Sequence, residues 1–83
     1  MNRIREQIRS YIVENFLFGD DGGLDDSISF LESGMIDSTG ILELIGFLEE
    51  NFSIKVKDDE LLPENLDSIA SLMSFLARKM APE

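Results

Sequence analysis

The chain has no cysteine and no histidine. Those absences remove disulfide staples, thiolate nucleophiles, imidazole acid–base pairs and the usual zinc sites. Basic residues are scarce: seven Lys and Arg stand against seventeen Asp and Glu, for a net charge of −10 over 83 residues. That is the wrong sign for gripping nucleic-acid phosphates or an anionic lipid surface. Long apolar runs are missing as well. The most apolar early stretch, Tyr11 to Phe18, is broken by Glu14 and Asn15 and is far short of the ~20 residues a membrane span needs. It also lacks a small-residue cleavage site, so a cytoplasmic, membrane-free protein is expected.

What is present is the material for a core. Ile, Leu, Val and Phe supply 28 of the 83 residues, well above the roughly 20% below which highly charged chains stay disordered. The length fits one small domain, residues 1–83. With so little catalytic equipment, a non-enzymatic role is expected.

The charge is concentrated. Between Ser10 and Ile54 there are ten acids and no Lys or Arg, whereas the rest of the chain holds seven of each sign. Such a stretch is either a solvated face or a docking surface for basic partners, since a one-sign patch speeds and orients encounter. Crowding of these carboxylates is expected to raise their pKa values, so that stability rises as pH falls from neutral.

Helical periodicity appears three times. Ile4, Ile8, Tyr11, Ile12 and Phe16 form an apolar stripe on a first helix from about Asn2 to Leu17, with Gly19 as its stop. A second stripe, Ile41, Leu44, Ile45, Leu48 and Phe52, begins near Ser38. A third runs Ile69, Leu72, Met73, Leu76 and Met80, with Asp67 expected as N-cap and Pro82 beyond its end. Lys57 to Leu62 allow one short helical turn before Pro63. Ile54 and Val56 alternate with polar neighbours and read as an extended connector that pins two side chains to the core. The pattern predicts an all-α bundle of three main helices plus one short one.

The connection from Phe18 to Ile36 is longer than the ~12–15 residues usual in compact domains. Leu24, Ile28, Phe30 and Leu31 are expected to fold it onto the helices. Its span Asp21 to Glu32 has the length of a calcium loop, but Gly23 stands at the third position and Asp26 at the sixth, where an oxygen ligand and a glycine are required. No metal site is expected.

This loop delivers the chain to Asp37 and Ser38. Both are ordinary residues for opening a helix. Ser38 is not a nucleophile of the usual kind, because no histidine is there to activate it. A serine at a helix N-terminus is, however, well placed to bear a phosphodiester, which the free N–H groups and the helix dipole favour.

The run Phe30-Leu31-Glu32-Ser33-Gly34-Met35-Ile36-Asp37-Ser38, followed by Ile41-Leu42-Glu43-Leu44 and Leu48-Glu49-Glu50-Asn51-Phe52, resembles the acyl carrier proteins over essentially the whole chain. The resemblance implies an acyl-carrier-like four-helix bundle with a long loop between its first two helices. It implies phosphopantetheine on Ser38, beside Asp37, transferred from coenzyme A by a phosphopantetheinyl transferase, with an acyl or aminoacyl cargo held as a thioester. Housekeeping carriers commonly read Gly-x-Asp-Ser-Leu-Asp. Here two residues separate Gly34 from Asp37, and Thr39-Gly40 follow Ser38, a pattern closer to specialised and D-alanyl-type carriers served by a dedicated adenylating ligase. The competing reading is an unmodified acidic adaptor or nucleic-acid mimic, and it gives no reason for a long structured loop ending at Ser38.

On the helix that Ser38 opens, a second stripe turns away from the core: Thr39, Leu42, Glu43, Gly46, Glu49 and Glu50. A small apolar centre with an acidic rim is expected there to dock basic patches of the transferase, the ligase and later acyl-processing enzymes. The protein itself is expected to be a monomer.

Overall fold

The computed structural model describes residues 2–19 and 23–80, and within them every regular element is helical. In chain order these are α1 (Asn2–Phe16), α2 (Phe30–Ser33), α3 (Ser38–Phe52), a 3-10 turn at Asp58–Glu60, α4 (Pro63–Leu66) and α5 (Ile69–Met80). The three main helices fall where periodicity puts them. The count of one short helix was too low. The loop contains α2, and α4 follows directly on the expected turn. Pro63 starts α4 instead of closing the turn, because its missing N–H is no loss at a first helical position.

The apolar stripes meet in one core. Ile8 and Ile12 of α1, Leu44 and Leu48 of α3, and Ile69, Leu72 and Leu76 of α5 are fully buried. Tyr11 stacks on Phe47 with ring centroids 4.1 Å apart, and its hydroxyl donates to the Glu43 carbonyl at 3.3 Å. Phe16 lies against Gly40. These contacts place α1 antiparallel to α3, so the end of α1 stands beside the start of α3. Ser53 closes α3 in the left-handed region, with φ 54°.

The long loop is held on both sides. Leu24, Phe30 and Ile36 drop into the core. Arg5 clamps Asp26 through two bonds, Nε to Oδ2 at 2.8 Å and Nη2 to Oδ1 at 2.7 Å. Arg9 donates to the Leu24 carbonyl at 2.9 Å, and the Ala70 N–H donates to the Asp26 carbonyl at 2.8 Å. Asp67 was expected to cap α5, but it serves the loop instead. Its carboxylate accepts the Ser29 hydroxyl and the Leu31 N–H, while its carbonyl accepts the Phe30 N–H at 2.8 Å. The cap of α5 is Ser68, whose Oγ accepts the Ser71 N–H at 3.1 Å.

After α3 the connector behaves as anticipated. Ile54 and Val56 pack against the core, and the Val56 N–H donates to Glu49 Oε2 at 2.9 Å. Glu60 then ties the 3-10 turn to α5, accepting the Lys57 N–H at 2.9 Å and Lys79 Nζ at 2.9 Å. At Asp25 and Asp26, within the acidic stretch, local bonds lower the pKa values that crowding was expected to raise. Hydrogen bonding by Arg5 holds the Asp26 carboxyl below its usual range. The Lys57 N–H and then Lys79 do the same for Glu60, and the Ser27 hydroxyl and N–H for Asp25. At Asp26 the bond from Arg5 outweighs the repulsion of Asp25.

Candidate functional site

Asp37 opens α3 with an extended backbone, and its Oδ1 accepts the Gly40 N–H at 2.8 Å. Its carbonyl accepts the Ile41 N–H at 2.9 Å. Ser38 is therefore the first residue inside a fifteen-residue helix and is exposed. By helix geometry the N–H groups of Ser38 and Thr39 have no acceptor within the helix, and the positive end of the dipole lies there. A phosphate attached to the Ser38 hydroxyl fits this end of α3.

The neighbouring serines are differently occupied. Ser27 donates to Asp25 at 2.9 Å, Ser29 to Asp67, and Ser33 to the Phe30 carbonyl at 3.3 Å. Asp21, at the start of the calcium-loop test, lies outside the described residues, as does Pro82. Among the described residues no three carboxylates converge as a metal site.

Gly40 explains itself by packing. A Cβ there would meet Ile36 Cγ2 at 2.6 Å and Phe16 Cε1 at 2.9 Å. The glycine lets the start of α3 sit on the end of α1 and on the loop, which fixes the direction in which Ser38 leaves the surface. Gly46 is the opposite case, since nothing lies within 4 Å of the place its Cβ would take.

Beside Ser38 the surface opens into a cavity of about 150 Å³. Ile41, Leu42 and Ile45 of α3 form one wall, Leu31 of α2 another, and Leu61, Leu62, Pro63 and Leu66 the third, with Asp67 at the edge. Periodicity identified the α3 wall as core and outer stripe but missed the other two. The missed signal was the apolar pair Leu61-Leu62 before Pro63, out of step with any helical stripe.

The outward stripe of α3 is largely as expected: Thr39, Leu42, Glu43, Gly46 and Glu50 are exposed. Glu49 differs. It is half-buried and engaged with Val56, which draws its carboxylate toward the connector. Burial, and then the nearby Glu43 carboxylate, raise the Tyr11 hydroxyl pKa.

The chain is similar to several carriers of known class. It is 35% identical to an acyl carrier protein of Akkermansia muciniphila over 93% of this chain and 92% of that one. It is 27% identical to the probable acyl carrier protein PigG of Serratia over 96% and 93%. No protein-family model matches. Among solved structures, the holo acyl carrier protein NE2163 of Nitrosomonas europaea superposes with a TM-score of 0.76 at 26% identity, over 94% of this chain and 96% of that one. A chain in the crystal structure of an FAD-dependent dehydrogenase gives 0.74 at 25% identity, over 83% and 97%.

Proposed function

The chain belongs to the acyl carrier proteins, non-catalytic carriers with covalently attached phosphopantetheine, and from that membership we propose that Ser38 is the attachment residue. The observation that carries the assignment is the position of Ser38: exposed, first in α3, capped from behind by Asp37 and next to an apolar cavity. When bound, phosphopantetheine supplies a thiol that holds cargo as a thioester. The chain's own contribution is to hold the serine hydroxyl out to a transferase, steady the attached phosphate at the N-terminus of α3, and offer apolar side chains beside it. Asp37 keeps the helix start in place.

Partners of two kinds follow from the family, phosphopantetheinyl transferases and acyl-processing enzymes. The Thr39-Gly40 pair supports a specialised carrier loaded by a dedicated adenylating ligase. We assign docking to the exposed stripe of Thr39, Leu42, Glu43, Gly46 and Glu50, and leave Glu49 to its structural bond. Gly46 supports this: a mid-helix glycine costs about 1 kcal/mol relative to alanine, and no contact among the described residues requires it. The 83 residues act as one cytoplasmic, monomeric carrier domain.

The test uses a convenience of the composition. With no cysteine, the unmodified protein has no thiol. Incubation with coenzyme A and a broad-specificity transferase is expected to give one titratable thiol per chain after removal of free coenzyme A. A count of zero, in a reaction where a control carrier is modified, would overturn the proposal.

A further inference from the structure

The run Phe16-Leu17-Phe18 closes α1, and its burial is uneven. Phe16 and Leu17 pack against the core. Phe18 is 94% exposed, the most exposed of the large apolar side chains among the described residues. Its backbone lies in the left-handed region, with φ 55°, which a bulky residue rarely adopts and which Gly or Asn fills with less strain. The turn is nevertheless ordered. The N–H groups of Leu17 and Gly19 both donate to the Val13 carbonyl, at 3.2 and 2.9 Å. One exposed apolar side chain is ordinary by itself, but an exposed ring held out on a disfavoured backbone points to a contact outside the chain.

Phe18 stands at the Ser38 end of the molecule. A Cβ built on Gly40 would lie 2.9 Å from Phe16 Cε1 and 3.3 Å from Asp37 Oδ1, so the Phe16 ring reaches the residues that open α3. Phe18 follows two residues later, within about 7 Å along the chain. The exposed stripe of α3 starts at the same end, with Thr39.

The charge around the ring selects its occupant. From Ser10 to Ile54 the chain has ten acids and no Lys or Arg. A second copy brings the same stretch and is repelled, and an anionic lipid surface has the wrong sign. An apolar pocket rimmed by Lys or Arg matches both the ring and its surroundings. Nearness to Ser38 narrows the choice further. The enzyme that attaches the arm must bring its reacting atoms to the Ser38 hydroxyl, whereas enzymes that act on the cargo meet it at the arm's far end. We propose that Phe18 is an aromatic anchor for the phosphopantetheinyl transferase, entering a basic-rimmed apolar pocket of that enzyme as it closes on Ser38. The proposal rests on Ser38 as the attachment site and adds a contact that lies off α3.

The test follows modification of the full chain by coenzyme A and a broad-specificity transferase, read by intact mass, for wild type, Phe18→Asn and Phe18→Tyr. A wild type that gains no mass, where a control carrier is modified, would overturn the attachment reading and the anchor with it. In a modified wild type the variants judge the anchor alone. Asn suits the left-handed backbone and the ring it replaces is exposed, so Phe18→Asn is expected to melt at or above the wild-type midpoint. Its KM for the carrier is expected to rise at least about fivefold with kcat little changed, because an anchor binds ground state and transition state alike. Phe18→Tyr keeps a ring and is expected to stay within about twofold of wild type. A smaller rise for Phe18→Asn, or an equal rise for Phe18→Tyr, would overturn the anchor. So would a midpoint that drops together with the rate, which would place the ring's role inside the fold. Wild-type dimers in sedimentation that Phe18→Asn abolishes would make a second copy the occupant and overturn it as well.

Discussion

Gly40 and Gly46 sit six residues apart on α3 and are kept for opposite reasons. At Gly40 the obstacle to a side chain is inside the molecule: Ile36 is buried and β-branched, so its methyl cannot swing clear of a new Cβ. Gly40→Ala is therefore expected to destabilise the protein. Overpacking costs about 1–3 kcal/mol against a gain of about 1 kcal/mol in helix propensity, and the helix start that presents Ser38 shifts with it. Urea denaturation checks the sign. Gly46→Ala, with open space around it, is expected to stabilise by up to about 1 kcal/mol in the same assay. If the two variants changed stability alike, packing would not be what distinguishes them.

At the scale of elements, the long loop and the 58–66 segment are held by polar clamps more than by regular structure. Asp26 and Glu60 bind their protons less readily in the folded chain than in the unfolded one. The stability they give is complete above the unfolded carboxylate range and is lost as pH falls through the depressed folded values. The melting midpoint is thus expected to fall as pH drops from about 4.5 to about 2.5, and Arg5→Leu, which releases Asp26, is expected to flatten part of that fall. A midpoint that rises across this interval would restore carboxylate repulsion as the dominant effect. The same clamps mark the limit of what was legible in the sequence. Three helices were readable because their apolar residues repeat at three and four, and Ser38 stood out as a candidate because Asp37 and the Glu43-Leu44 and Glu49-Glu50 groups stand at recognisable spacing. Residues that act across the fold leave no periodic trace. Asp67 reads locally as a cap for α5, yet its partners Ser29 and Leu31 lie in the loop, thirty-eight and thirty-six residues away. Ser68 caps α5 in its place, a shift of one residue that local spacing does not resolve. The cavity walls from α2 and α4 were hidden for the same reason, since tertiary contact alone brings Leu31 and Leu66 to Ser38.

For the molecule as a whole, a charge of −10 carried by the stretch between Ser10 and Ile54 is expected to act on encounter with basic partners through the association rate. Glu43→Lys and Glu50→Lys are expected to slow modification by the transferase, mainly through association. The wild-type rate is expected to fall as salt rises toward and beyond 0.15 M, where the screening length is about 8 Å. Glu64→Lys lies on α4, off the exposed stripe, and is expected to matter much less. Equal effects from all three reversals, or a salt-independent wild-type rate, would remove α3 as the docking face. These experiments presuppose that the arm is borne by Ser38, and that point can be settled by mapping the modification. Wild type and Ser38→Ala are each treated with coenzyme A and transferase, weighed intact, and digested to locate the added mass. One added phosphopantetheine on the peptide containing Ser38, with none on a Ser38→Ala protein that retains its helical circular dichroism, is the expected result. An equal mass gain in the folded variant, carried by Ser27, Ser29, Ser33 or any other residue, would contradict it.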